Sequence, residues 1–95
     1  MSRDSFRQSI FDVIELITQM QLRTSSKRLI LEYFNMSAGQ SSRERARIAI
    51  ERYSQKELPP RAEIIERNKE NRLTRLDRLV LTMEVEADRF DKEPE

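Results

Sequence analysis

The chain contains no cysteine, no histidine and no tryptophan, and has a single glycine and three prolines in 95 residues. Without cysteine there is no disulfide framework and no thiolate ligand, so the expected compartment is the cytoplasm or another reducing one. Without histidine or cysteine the commonest general base, the Ser-His and Cys-His nucleophile systems and the usual zinc sites all fall away. One glycine cannot build a phosphate-cradling loop, and no cofactor is expected. The same scarcity of glycine leaves few places for tight hairpin turns, which argues against a β-rich fold. No apolar run reaches membrane-spanning length and the first residues lack a signal peptide's apolar stretch, so no membrane association is expected.

Charged and hydrophobic residues each make up 37% of the chain, and Arg, Glu, Leu, Ile and Gln are abundant. This is a helical composition, polar for a globular domain but able to form a modest core. The expectation is one all-α domain over residues 1–90, with four or five helices in a compact bundle, a long C-terminal helix and an acidic tail over residues 91–95. A domain this small is marginal alone, so a helical homodimer is expected.

Apolar residues at Phe6, Ile10, Val13, Ile17 and Met20 alternate steps of four and three and predict a helix to about Leu22. Phe11, Ile14 and Leu16 widen that stripe, which places this helix centrally, covered on two sides. Residues 23–26 read as a break with a new cap, and Leu29, Ile30, Tyr33 and Phe34 mark a second helix ending near Asn35 or Met36. Gly39 sits in the loop that follows. Ser41 and Glu44 have capping-box spacing and open a third helix to about Ser54. Leu58-Pro59-Pro60 forces an extended break, with Pro60 suited to the first position of a helix. From Arg61 the chain has no strong breaker before Pro94, so one helix of some thirty residues, or two divided near Asn68 and Asn71, are both compatible. Leu73, Leu76, Val80, Met83, Ala87 and Phe90 keep heptad spacing and form either core or a dimer seam.

The net charge of +1 conceals an uneven distribution. Residues 23–56 hold eight bases against three acids, a net +5, whereas residues 84–95 hold two against six, a net −4. On the third helix the arginines divide into two rows. Arg43 and Arg47 have Glu44 and Glu51 nearby; Arg45 and Arg52, continuing to Lys56, have no acid at helical spacing. Lys27 and Arg28 extend this second row if the second and third helices form a hairpin. A helix-turn-helix reader fits poorly, because the connection through Gly39 is long and Arg45 falls where an apolar contact belongs.

Two functional readings follow, neither of them enzymatic. In the first, a helical dimer binds duplex DNA or RNA by backbone and shape through Arg45, Arg52, Lys56, Lys27 and Arg28. In the second, the chain is a protein-interaction module, an adaptor, inhibitor or assembly component, whose partner has an acidic surface; Ile48, projected outward beside the arginine row, is its apolar contact. The carboxylates Glu63, Glu66 and Glu70, and Glu84, Glu86 and Asp88 near the tail, are read as solvated faces rather than as metal ligands.

Overall fold

In the computed structural model, residues 2–93 are described. They form five helices: α1 Ser2–Thr18, α2 Thr24–Met36, α3 Ser42–Ser54, α4 Arg61–Lys69 and α5 Arg75–Lys92. The chain is all-α, and none of these helices is long and apolar enough to cross a membrane. The Cα radius of gyration is 12.9 Å, close to the roughly 13 Å of a packed chain of about a hundred residues.

α1 is the central element. Phe6, Ile10, Val13 and Ile14 are all but fully buried and Phe11 nearly so, because α5 packs along one side of α1 and α3 along another. α2 packs chiefly on α3, and its Ile30 and Phe34 enter the same core. The rings of Phe6, Phe34 and Phe90 meet with centroids 5.1 to 6.2 Å apart, tying α1, α2 and α5 together near one end.

The heptad stripe of α5 faces this interior. Val80, Met83 and Ala87 are fully buried, while Leu73, Leu76 and Phe90 are partly buried against the core. α1 supplies the partner that the periodicity demands. Of the dimer seam expected from Leu73, Leu76, Val80, Met83 and Phe90, Val80 and Met83 are corrected to core, being fully buried within one chain, while Leu73, Leu76 and Phe90 are partly covered by it.

Two helix ends are closed by the same local device. α1 stops at Thr18, short of Leu22, because Gln19 is left-handed with φ 55°. Leu22 then turns back into the core, and its N–H donates to Glu15 Oε2 at 2.9 Å. At the end of α3, Gln55 has φ 56°, Leu58 is buried, and its N–H donates to Glu51 Oε2 at 2.7 Å. The hydroxyls of Thr18 and Ser54 donate to the carbonyls of Ile14 and Ile50 at 2.8 and 2.7 Å. The two segments thus share the pattern Ile-Glu-x-x-Ser/Thr-Gln-x-x-Leu, thirty-six positions apart. A carboxylate seven residues upstream satisfies an amide that would otherwise be buried without a partner. Met20, expected on the apolar stripe of α1, falls between Gln19 and Leu22 and is 65% exposed.

The region after Arg61 is two helices. Asn71 takes φ 55°, and the Arg72 N–H donates to the Arg67 carbonyl at 2.8 Å. α5 then opens with a capping box: Asp77 N–H donates to Thr74 Oγ1 at 3.1 Å, and Thr74 N–H to Asp77 Oδ2 at 3.0 Å. α4 enters the core through buried Ile64 and is joined to this start through Arg67. The Arg67 Nε and Nη2 donate to the two Asp77 oxygens at 2.7 and 2.8 Å. Arg67 and the Thr74 bonds hold the fully buried Asp77 carboxyl at about 2, below its ordinary 3.8. The Arg67 guanidinium is pushed up in turn by its hydrogen bonds to Asp77 and Glu63.

Pro60 occupies the cap position rather than the first turn, with α4 beginning one residue later. At α2 the cap position is Arg23, which makes no side-chain capping bond. Of the expected tail, Asp91 and Lys92 belong to α5; Pro94 and Glu95 lie outside the described residues.

Candidate binding surface of the α2–α3 hairpin

α2 and α3 are joined by residues 37–41, in which the Ser37 N–H donates to the Phe34 carbonyl at 3.3 Å and Gly39 adopts φ 97°, a conformation open mainly to glycine. α3 begins at Ser41, whose hydroxyl accepts from the Glu44 N–H at 3.3 Å. A second free amide of that terminus is satisfied from afar: Ser42 N–H donates to Asp91 Oδ2 at 3.2 Å, and the Ser42 hydroxyl donates to Asp91 Oδ1. The C-terminal turn of α5 thereby fixes the start of α3.

The inner arginine row is engaged by the rest of the fold and not by its own helix. Arg43 Nη2 donates to Asp88 Oδ2 at 2.8 Å, and its Nε lies 3.7 Å from Glu84. Glu84, whose side chain is only 4% exposed, also lies 3.5 Å from Arg61. Arg47 Nη2 donates to the Pro59 carbonyl at 2.6 Å, while Glu51, expected to sit among these arginines as a counter-charge, accepts from Leu58. Glu84 and Asp88 are consequently structural, which corrects their reading as a solvated face, and Asp91 of the expected tail is structural too.

The outer row divides. Arg45 is half-buried: its Nε donates to the Phe34 carbonyl at 3.1 Å, and its guanidinium carbon lies 4.0 Å from the Phe34 ring centroid. Arg52 is exposed, 5.5 Å over the Tyr33 ring. Lys27 is half-buried, with its Nζ 5.3 Å over the Phe11 ring of α1. Arg28 and Lys56 are exposed. All five lack a carboxylate partner among the described residues. Arg45 and Arg52 each lie over a different ring of α2 and Lys27 over a ring of α1, so the expected row is not one continuous stripe. Stacking within 6 Å of a ring holds a cation in place without neutralising it. Ile48 is half-buried.

On α4 and the adjoining turn the acids meet cations: Glu63 with Arg67 at 2.7 Å, Glu66 with Lys69 at 3.4 Å and Glu70 with Arg72 at 3.2 Å. Among the described residues, no group of three or more Asp or Glu is arranged to hold a metal ion. Sequence reasoning found the cations of the hairpin but missed Phe34 and Tyr33 as the rings that seat them; the signal was aromatic residues on the helix before the basic one. In comparison with known proteins, the chain matches no protein-family model, no curated protein and no solved structure.

Proposed function

We propose that this chain is a non-enzymatic binding protein whose α2–α3 hairpin grips the phosphate backbone of a nucleic-acid duplex. The observation that carries this reading is the grouping on the hairpin and just beyond it of Lys27, Arg28, Arg52 and Lys56, none of which has a carboxylate partner among the described residues, whereas Arg43, Arg61, Arg67, Lys69, Arg72 and Arg89 have one. Unneutralised cations on two packed helices, with Lys56 just beyond the end of α3 rather than on it, match phosphates by charge and require no base contact. Ring stacking under Lys27 and Arg52 lowers the conformational freedom lost on binding.

Fluorescence anisotropy with labelled duplex DNA and duplex RNA, titrated with salt, tests it. With about four phosphate contacts, affinity falls about 150-fold between roughly 50 and 200 mM salt. The double charge reversal R52E/K56E abolishes binding while leaving the circular dichroism spectrum unchanged. Absence of binding to either duplex at low salt, or binding that ignores the double reversal, refutes the proposal. Light scattering on the same complexes reads how many copies bind; two per duplex is the expectation, since four contacts per chain hold weakly alone.

A further inference from the structure

One cleft of the molecule is separate from the outer face of the hairpin. It lies where the N-terminal half of α1, the end of α2, the start of α3 and the end of α5 converge, and its volume is about 320 Å³. Arg3, Arg7 and Arg45 stand on its lining, with Leu31, Phe34 and Phe90 among the apolar groups, and no carboxylate lines it among the described residues. Arg7 and Arg45 have no carboxylate partner among the described residues, and an anion placed in the cleft is attracted by both guanidinium groups.

Arg45 is prepared for this. Its Nε is bonded to the Phe34 carbonyl and its guanidinium carbon lies 4.0 Å from the Phe34 ring centroid, so the side chain is already held in place and its two Nη groups remain to donate. A planar, immobilised fork binds a carboxylate or phosphate with little further loss of rotamer freedom. Arg3 lies 5.5 Å over the Phe90 ring, while Arg7 is exposed and makes no ion pair among the described residues. The open apolar surface belongs to the half-buried Leu31 and Phe90, since Phe34 and the neighbouring Phe6 are almost wholly covered. The volume stands at the lower end of small-ligand sites, which span about 300 to 1,000 Å³.

We propose that this cleft is a binding site for a small organic anion, with a carboxylate or phosphate group held by Arg45 and Arg7 and a compact apolar body, such as one aromatic ring, lying against Leu31 and Phe90. Both halves of the ligand are needed: the charge selects the rim and the apolar part selects the wall. The site is independent of duplex binding, which uses the outward cations of the hairpin.

The test is a two-dimensional amide NMR titration with phenyl phosphate and with phenylacetate, beside inorganic phosphate and benzyl alcohol, each of which carries only half of the chemistry. The expected result is saturable shifts at Arg7, Leu31, Phe34, Arg45 and Phe90 for at least one of the two ring-bearing anions, with a Kd below about 1 mM. Inorganic phosphate and benzyl alcohol bind at least about tenfold more weakly, a difference of about 1.4 kcal/mol. Arg45→Met, which keeps much of the stem, and Arg7→Gln, at an exposed position, each weaken the ring-bearing anion at least about tenfold; Arg7→Gln carries the test if Arg45→Met alters the fold. No saturation by either ring-bearing anion overturns the proposal. So does equal affinity for inorganic phosphate, or shifts that fall on Arg28, Arg52 and Lys56 instead of the cleft.

Discussion

Replacing Asp77 with asparagine is expected to destabilise the chain by about 2–3 kcal/mol, through loss of the joint between α4 and α5. The carboxylate is fully buried and accepts two N–H groups of Arg67 and one of Thr74. Asparagine has the same shape but one acceptor oxygen, so its NH2 faces a guanidinium donor. A hydrogen bond to a charged group contributes about 1.5–3 kcal/mol, and removing one partner of a fully buried ion pair costs about 3–5. The lower part of that range applies because the Arg67 side chain is 23% exposed and keeps Glu63 at 2.7 Å. For a domain of this size each kcal/mol moves Tm by about 4–8 °C, giving a fall of about 10–20 °C.

The same pair sets a pH dependence. Because the folded-state pKa of Asp77 is depressed to about 2 from 3.8, its contribution is fully present above about pH 4 and is lost as pH falls through about 2. With allowance for screening at the Arg67 end, that contribution is about 1–2 kcal/mol. Urea unfolding followed by far-UV circular dichroism, at neutral pH and near pH 2, should show the gap between wild type and Asp77→Asn narrowing by that amount. A double-mutant cycle with Arg67→Met isolates the pair. A variant within about 0.5 kcal/mol of wild type at neutral pH, the range of an ordinary surface substitution, or a gap that does not change with pH, would refute the reasoning.

Other substitutions separate the remaining contributions. Glu51→Ala leaves the Leu58 amide without its acceptor and is expected to cost about 1–3 kcal/mol in urea unfolding, with Glu15→Ala behaving alike at Leu22. Gln55→Gly relieves a left-handed φ of 56° and should stabilise by about 0.5–1 kcal/mol, raising Tm in calorimetry. Ile14→Ala opens a cavity at a fully buried position and should cost about 2–5 kcal/mol, whereas Met20→Gln, at an exposed one, should stay within about 0.5 kcal/mol by the same measurement.

Periodicity carried much of the architecture. The stripe of α1, the basic helix between Ser41 and Ser54, the extended Leu58-Pro59-Pro60 segment and the stripe of α5 were all legible, because each depends on neighbours three or four residues away. What failed was whatever depends on a single backbone torsion or a distant partner. Met20 continued the spacing of α1, but the left-handed Gln19 had already ended the helix. The heptads of α5 look the same whether α1 or a second chain fills the facing groove, and α1 does. Arg45 has no acid at helical spacing, yet its partner is a carbonyl eleven residues back across the hairpin. The shared Ile-Glu-x-x-Ser/Thr-Gln-x-x-Leu pattern was present in the letters, but its meaning lies in a hydrogen bond spanning seven residues, which no helical projection displays.

The placement of the acids explains how a chain of net charge +1 comes to show a basic hairpin. Glu15, Glu51 and Asp91 accept from backbone amides, and Glu84 and Asp88 face Arg43 on the inner side of α3. Anchored there, they complete helix ends and pair with arginines that point inward. Charges separated by more than about 8 Å of water are largely screened at physiological salt, so carboxylates fixed on the far side of the fold do little to the field outside Arg52 and Lys56, whereas Glu51 and the exposed Glu57 stand beside these two cations in the sequence. Glu32 and Glu44 are the exposed acids of the hairpin and weaken that field locally. The hairpin's charge is therefore set less by how many acids the chain contains than by which helix ends they close.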